Sequence, residues 1–188
     1  DKVFTSLSKL LEEDIAILLT RNAETQEILL SGVGQIHIEA TIEKLKRKFN
    51  VEVQLNTPKV PYKETIKKKA RSQGKHKKQP GGPGKFGDCW INVEPLPRGE
   101  GFEFVDKIVG GSIPRQYIPA VEKGIVESSQ KGILSGFPCV DFRVTLDDGS
   151  FHAVDSSEMA FKIAGSLAFK KAVAEAQPTL LEPIMKVS

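Results

Sequence analysis

With 188 residues, 39% hydrophobic and 27% charged, the chain has room for one large or two small domains with buried cores, which excludes a disordered tail. No apolar run approaches the ~20 residues of a membrane span, and Asp1-Lys2-Val3-Phe4 has no signal-peptide layout, so a soluble, cytoplasmic protein is expected; separately, a monomer is expected. The net charge of +3, from 27 Lys+Arg against 24 Asp+Glu, is too small to mark a polyanion binder unless it is unevenly spread.

Residues 2–14 place Val3, Phe4, Leu7, Leu10 and Leu11 on one face at helical spacing. Residues 15–20 and 27–33 read as short strands across the polar turn at 22–26. After Gly32-Val33-Gly34 a second helix puts Ile38, Ile42, Leu45 and Phe49 on one face, and 51–55 reads as a strand. The order α-β-β-α-β is a ferredoxin-like split βαβ unit without its first strand. The chain is accordingly expected to be a fragment cut inside a domain.

Pro58 and Pro61 flank a connection to a second unit. Residues 63–87 hold nine Lys/Arg against one acid, Glu64, a local charge of +8, while the other 163 residues carry 18 basic against 23 acidic, a net of −5. Taken alone, a run of this kind reads equally as a solvated linker. Its interior favours a hairpin. Residues 60–66 read as a strand leading in and 88–93 as one leading out, while Gln79-Pro80-Gly81-Gly82-Pro83-Gly84-Lys85-Phe86-Gly87 is too rich in Gly and Pro to continue either. Glycines at such an end let a phosphate backbone approach, and lysines replace its counterions. Phe86 reads either as a base-stacking aromatic or as an anchor for the loop.

Residues 101–108 read as a strand, and 114–131 as a helix with Ile118, Val121 and Ile125 inward. Residues 139–146 read as an alternating strand, and 147–150 as a turn. Asp155, with Glu158 three residues on, reads as an N-cap and capping-box pair for a long helix whose buried stripe is Met159, Ala160, Ile163, Ala164, Leu167 and Ala168. Pro178 ends that helix, and 180–187 reads as a strand with nothing left to pair with.

Chemical motifs are sparse. Cys89 and Cys139 each sit in a strand-like run and read as two reduced core thiols, with a disulfide or a metal site as the other possibility, one that no CxxC or His cluster supports. Gly32-x-Gly34 lacks the third glycine of a dinucleotide fingerprint, and the chain contains no GxxxxGK[ST] run, so a tight strand-to-helix turn is expected there. His152, Asp155 and Ser156 are too close in sequence to assemble a hydrolase triad. His152 is either an exposed recognition residue beside a helix start or a residue that packs its own loop. No catalytic residue and no metal ligand is expected.

Seven segments, in this order, resemble bacterial elongation factor G over essentially the whole chain: Gly32-Val33-Gly34-Gln35-Ile36-His37, Gly74-Lys75-His76-Lys77-Lys78-Gln79, Glu94-Pro95-Leu96-Pro97, Gly110-Gly111-Ser112-Ile113-Pro114, Tyr117-Ile118-Pro119-Ala120-Val121, Asp155-Ser156-Ser157-Glu158-Met159-Ala160-Phe161 and Leu180-Leu181-Glu182-Pro183-Ile184-Met185. The resemblance implies an α+β protein: most of a ferredoxin-like third domain over 1–57, a fourth domain over 58–177 similar to domain 2 of ribosomal protein S5 with a left-handed βαβ crossover, and the first strand of a fifth domain over 178–188.

It also implies translocation of tRNA and mRNA by a translational GTPase parent that uses GTP and Mg, while this chain carries no cofactor and is not itself an enzyme. The implied partners are the ribosome, through small-subunit rRNA of the decoding region, and A-site tRNA with mRNA. Implied tRNA–mRNA contacts are His152, Asp155 and Ser156 in one loop and Gln79, Gly81 and Gly82 in another. The basic residues Lys75, Lys77, Lys78 and Lys85 are expected on rRNA phosphates. His152 matches the histidine that archaeal and eukaryotic relatives modify to diphthamide, and the bacterial-type surroundings imply an unmodified one.

Bacterial members commonly have Arg where this chain has Pro83, which removes a cation and a backbone donor, although Lys85 restores the charge two residues along. A paralogue with weaker or specialised activity is one reading of that departure. A ribosome-protection protein of the same superfamily and a free-standing nucleic-acid-binding module are the alternative functions.

Overall fold

A computed structural model describes residues 2–22, 25–78 and 85–184. The chain divides into two compact units, Asp1–Pro61 and Tyr62–Ser188.

In the first unit, α1 (Lys2–Leu11) and α2 (Gln35–Phe49) pack with the hairpin β1 (Leu18–Arg21) and β2 (Ile28–Ser31), paired from Leu18↔Ser31 to Arg21↔Ile28. Leu7, Leu10, Leu45 and Val51 form its buried core. The amphipathic spacing of α1 is realised through Leu7 and Leu10, whereas Phe4 stays 39% exposed. On α2 the inward positions are Thr41 and Leu45, with Ile38, Ile42 and Phe49 half-buried. Asn50 ends α2 in a left-handed cap, its N–H donating to the Lys46 carbonyl. Residues 51–55 form no strand, which corrects the sequence reading: Val51 and Val53 pack on the core, but no ladder partner stands beside them among the described residues.

The second unit is built on a four-stranded sheet ordered β4-β5-β7-β6, from β4 (Ala70–Lys78), β5 (Lys85–Pro95), β6 (Phe102–Asp106) and β7 (Phe142–Ser150). β4, β5 and β7 run antiparallel, while β6 lies parallel to β7. The connection from β6 to β7 runs through a 3-10 turn, Arg115–Tyr117, and α3 (Ile118–Lys131). Then α4 (Glu158–Glu175) packs on β4, β5 and α3.

Phe142, Phe161 and Phe169 are fully buried at the centre, each contributing about 1.5–3 kcal/mol by leaving water. The molecule is thus α+β, with small sheets in both units.

Five sequence readings in this unit are corrected. The basic hairpin is β4–β5, paired from Ala70↔Val93 to Lys78↔Lys85; residues 63–66 form a separate strand, β3 (Lys63–Ile66). That strand pairs antiparallel with β8 (Pro178–Leu181), so the C-terminal strand read as partnerless has a partner. Residues 147–150 are no turn but the end of β7, where Asp147 is the extra residue of a bulge opposite Trp90 and Ile91.

The N-cap of α4 is Ser157, whose Oγ accepts the Ala160 N–H at 3.2 Å. The buried stripe of α4 is Ala160, Phe161, Ala164, Gly165, Ala168, Phe169, Ala172 and Val173, leaving Met159 59% exposed. Small residues on that stripe let the helix sit close to the sheet. The sequence reading is right for Ala160, Ala164 and Ala168, but flanks them with Met159, Ile163 and Leu167 where the buried neighbours are Phe161, Gly165 and Phe169, a face turned by about one residue.

Glycines supply the other half of this close approach. A Cβ on Gly74 would lie 1.9 Å from the Ala164 carbonyl oxygen, and one on Gly87 would lie 2.5 Å from that of Ala160. Gly87 therefore belongs to a strand that a helix touches, and its presence in a Gly-rich run concealed that.

Cys89 and Cys139 are free and buried. Burial pushes each thiol up to about 12, with Asp88 adding to the effect at Cys89, and Glu64 and Asp141 at Cys139. Both should be silent to a thiol reagent at pH 8 in the folded chain and react together once urea unfolds the second unit; a thiol titrating rapidly without denaturant contradicts the packing.

Candidate nucleic-acid interface

β4 presents alternate residues to opposite faces: Ser72 and Gly74 are buried against α4, while Arg71, Lys75 and Lys77 are exposed on the other face. Near its start this strand is neutralised within the protein. Arg71 donates to Asp147 at 3.1 Å and lies 4.5 Å over the Trp90 ring, and Lys69 pairs with Glu94 at 2.7 Å. Toward its far end, Lys75, Lys77, Lys78 and Lys85 are exposed and have no carboxylate partner among the described residues. Lys78 and Lys85 are direct cross-strand partners, an arrangement that costs stability unless an anion shares the two charges.

The loop after β7 folds onto this same end. The Phe86 N–H donates to the Asp155 carbonyl at 2.8 Å, and Phe86 and Ser156 form an isolated parallel bridge. The Phe86 ring lies 6.4 Å from the His152 ring, with Lys75 Nζ 5.8 Å above it. Phe86 is therefore the loop's anchor.

His152 and Ser156 close the loop on itself. The His152 N–H donates to Ser156 Oγ at 2.8 Å, and the Ser156 N–H donates to the His152 carbonyl at 3.0 Å. The imidazole is exposed. Its Nδ1 accepts from the N–H groups of Val154 and Asp155 at 3.4 and 3.3 Å and stands 3.4 Å from Asp155 Oδ2. Nε2 has no hydrogen-bond partner among the described residues, so the ring is oriented by its own loop and offers one nitrogen outward. No group of three or more His, Cys, Asp or Glu side chains able to hold a metal is present among the described residues.

The structure thus brings His152, Asp155 and Ser156 beside Lys75, Lys77, Lys78 and Lys85. Gln79, Gly81 and Gly82 lie outside the described residues. Sequence reasoning missed Tyr117, whose hydroxyl donates to the Ser156 carbonyl at 3.2 Å from a half-buried position stacked on Phe161. No local pattern announces that contact, which joins residues 39 apart.

The family model described as elongation factor G, domain IV, matches residues 58–177. The chain belongs to the elongation factor G family. A second model, elongation factor G, domain III, matches residues 1–57. Among solved structures, the crystal structure of ttk003000868 from Thermus thermophilus is 49% identical, with a TM-score of 0.78 over 95% of this chain. The chain spans 26% of that solved chain's length. Elongation factor G domains place the sequence among translation elongation factor-like proteins. No helix among the described residues is long and apolar enough to cross a membrane.

Proposed function

We propose that this chain is the part of an elongation factor G that promotes GTP-dependent movement of tRNA and mRNA, with residues 58–177 entering the A site of the small ribosomal subunit in the cytoplasm. Residues 1–57 act as its third domain, and residues 178–188 lead toward a fifth. GTP and Mg belong to the longer parent, which acts as a monomer, and the chain itself hydrolyses no GTP.

The observation that carries this reading is the docking of the His152 loop on the basic end of the β4–β5 hairpin. Four lysines with no carboxylate partner among the described residues lie beside an exposed histidine whose ring is held by its own backbone. Such lysines neutralise rRNA phosphates, while His152, Asp155 and Ser156 meet the codon–anticodon duplex through backbone and 2′-OH contacts. Gln79, Gly81 and Gly82 are proposed as further contacts to the same duplex. The protein's contribution is steric and electrostatic: it occupies the site that the tRNA–mRNA pair has left and blocks its return.

The deciding experiment times tRNA movement on ribosomes with the full-length parent and GTP. Movement at a rate well above the factor-free rate supports the proposal. Release of a decoding-site drug without tRNA movement would establish the ribosome-protection reading. The electrostatic part has its own test. Replacing Lys75, Lys77, Lys78 and Lys85 by glutamine should flatten the slope of log affinity against log salt by about 3, measured by titrating this chain onto a small-subunit rRNA fragment. An unchanged slope would remove these lysines from the interface.

A further inference from the structure

Three polar groups of Ser156 are engaged, two by His152 in the same loop and one by a distant segment. Its N–H and Oγ hold the two backbone groups of His152, and its carbonyl accepts from the Tyr117 hydroxyl at 3.2 Å. Tyr117 closes the 3-10 turn before α3, and its ring stacks on Phe161 with centroids 4.9 Å apart and planes 13° apart. Phe161 is fully buried on α4. A half-buried ring fixed against a core aromatic cannot rotate its hydroxyl away without breaking the stack. The line of contacts Phe161–Tyr117–Ser156–His152 therefore connects the hydrophobic core to the exposed imidazole.

We propose that Tyr117 is the positioning residue for the His152 loop: its hydroxyl sets the Ser156 peptide, and through it the direction in which the imidazole faces RNA. This rests on the function proposed above. Tyr117 acts through Ser156: one face of its ring is covered by Phe161 and its hydroxyl proton is donated to the Ser156 carbonyl. The same peptide segment is gripped from the other side by the Phe86 N–H on Asp155. Losing the hydroxyl therefore loosens the loop without releasing it.

Tyr117→Phe keeps the stack and deletes the hydrogen bond. In this chain, amide exchange at Ser156 and Phe86, followed by NMR, should quicken about fivefold, the scale of one net hydrogen bond, while the amides of α3 and α4 keep their protection. Unchanged exchange at both amides would overturn the proposal. In the full-length parent, Tyr117→Phe should slow tRNA movement severalfold at an unchanged melting temperature and add nothing in a His152→Ala background. Additive slowing would overturn it, because Tyr117 would then act on something other than the histidine. If His152→Ala leaves tRNA movement untouched, the proposed function fails, whereas the exchange measurement still decides what Tyr117 does.

Discussion

Replacing Glu64 by alanine is expected to lower the unfolding free energy of the second unit by about 4 kcal/mol, read from urea denaturation. Glu64 lies on β3 with no exposed surface. Its Oε2 accepts the N–H groups of Ile133 and Leu134 at 2.7 and 3.0 Å, and its Oε1 accepts those of Ser135 and Phe137 at 2.7 and 3.2 Å. The loop after α3 is wrapped around one carboxylate, so truncation orphans four backbone donors at once. Gly132 opens this loop at φ +63, where a Cβ would lie 2.1 Å from the Phe137 carbonyl and 2.6 Å from Glu64 Oε1. Glu64→Gln should cost nearly as much, since its NH2 would face N–H donors. A glutamine variant as stable as the parent would mean that the loop reorganises freely.

The same site predicts acid lability. Burial pushes the Glu64 carboxyl up, but the N–H groups of Ile133, Leu134, Ser135 and Phe137 together hold it below the usual carboxylate range. A carboxyl that titrates lower folded than unfolded contributes stability that is fully present above the unfolded value of about 4.3 and is lost as pH falls through the folded one. Stability measured from pH 6 downward should therefore decline more steeply below about pH 4.3 in the parent than in Glu64→Ala. Parallel declines would assign the acid sensitivity to other groups.

His152→Ala in the full-length parent is expected to slow tRNA movement about tenfold or more while ribosome-stimulated GTP hydrolysis stays within about twofold. Tenfold corresponds to ~1.4 kcal/mol, the scale of a hydrogen bond to a charged or phosphate-linked group. The separation of the two rates follows from the geometry. The imidazole is exposed, its backbone groups are satisfied by Ser156, and removing the ring leaves the loop tied to Phe86 and Tyr117. Equal loss of both rates would point to misfolding or failed docking, which the melting temperature distinguishes.

Much of this was legible in the residues. The helices were, because apolar spacing marks them, and α2, α3 and α4 emerge within a few residues of their sequence-read bounds. The basic end was legible too, because a local charge of +8 on a net of +3 survives any folding, and so was the segment order that identifies the family. What local pattern could not reveal was partnership. β3 looked like an arm of the hairpin because it precedes it, yet its ladder runs to β8 more than a hundred residues on. The strand β7 looked shorter because Asp-Asp-Gly-Ser is turn chemistry, yet one bulge carries it to Ser150.

Sequence by itself therefore determined the helices, the placement of charge and the family, all properties of short windows or of their order. Tertiary structure alone decided that Glu64, a lone acid in a basic run, is the anchor of a distant loop, and that Tyr117 and Phe86 hold the loop bearing His152. The physical reason is that these contacts satisfy backbone donors and acceptors from remote segments, and a backbone group carries no sequence signature of its own.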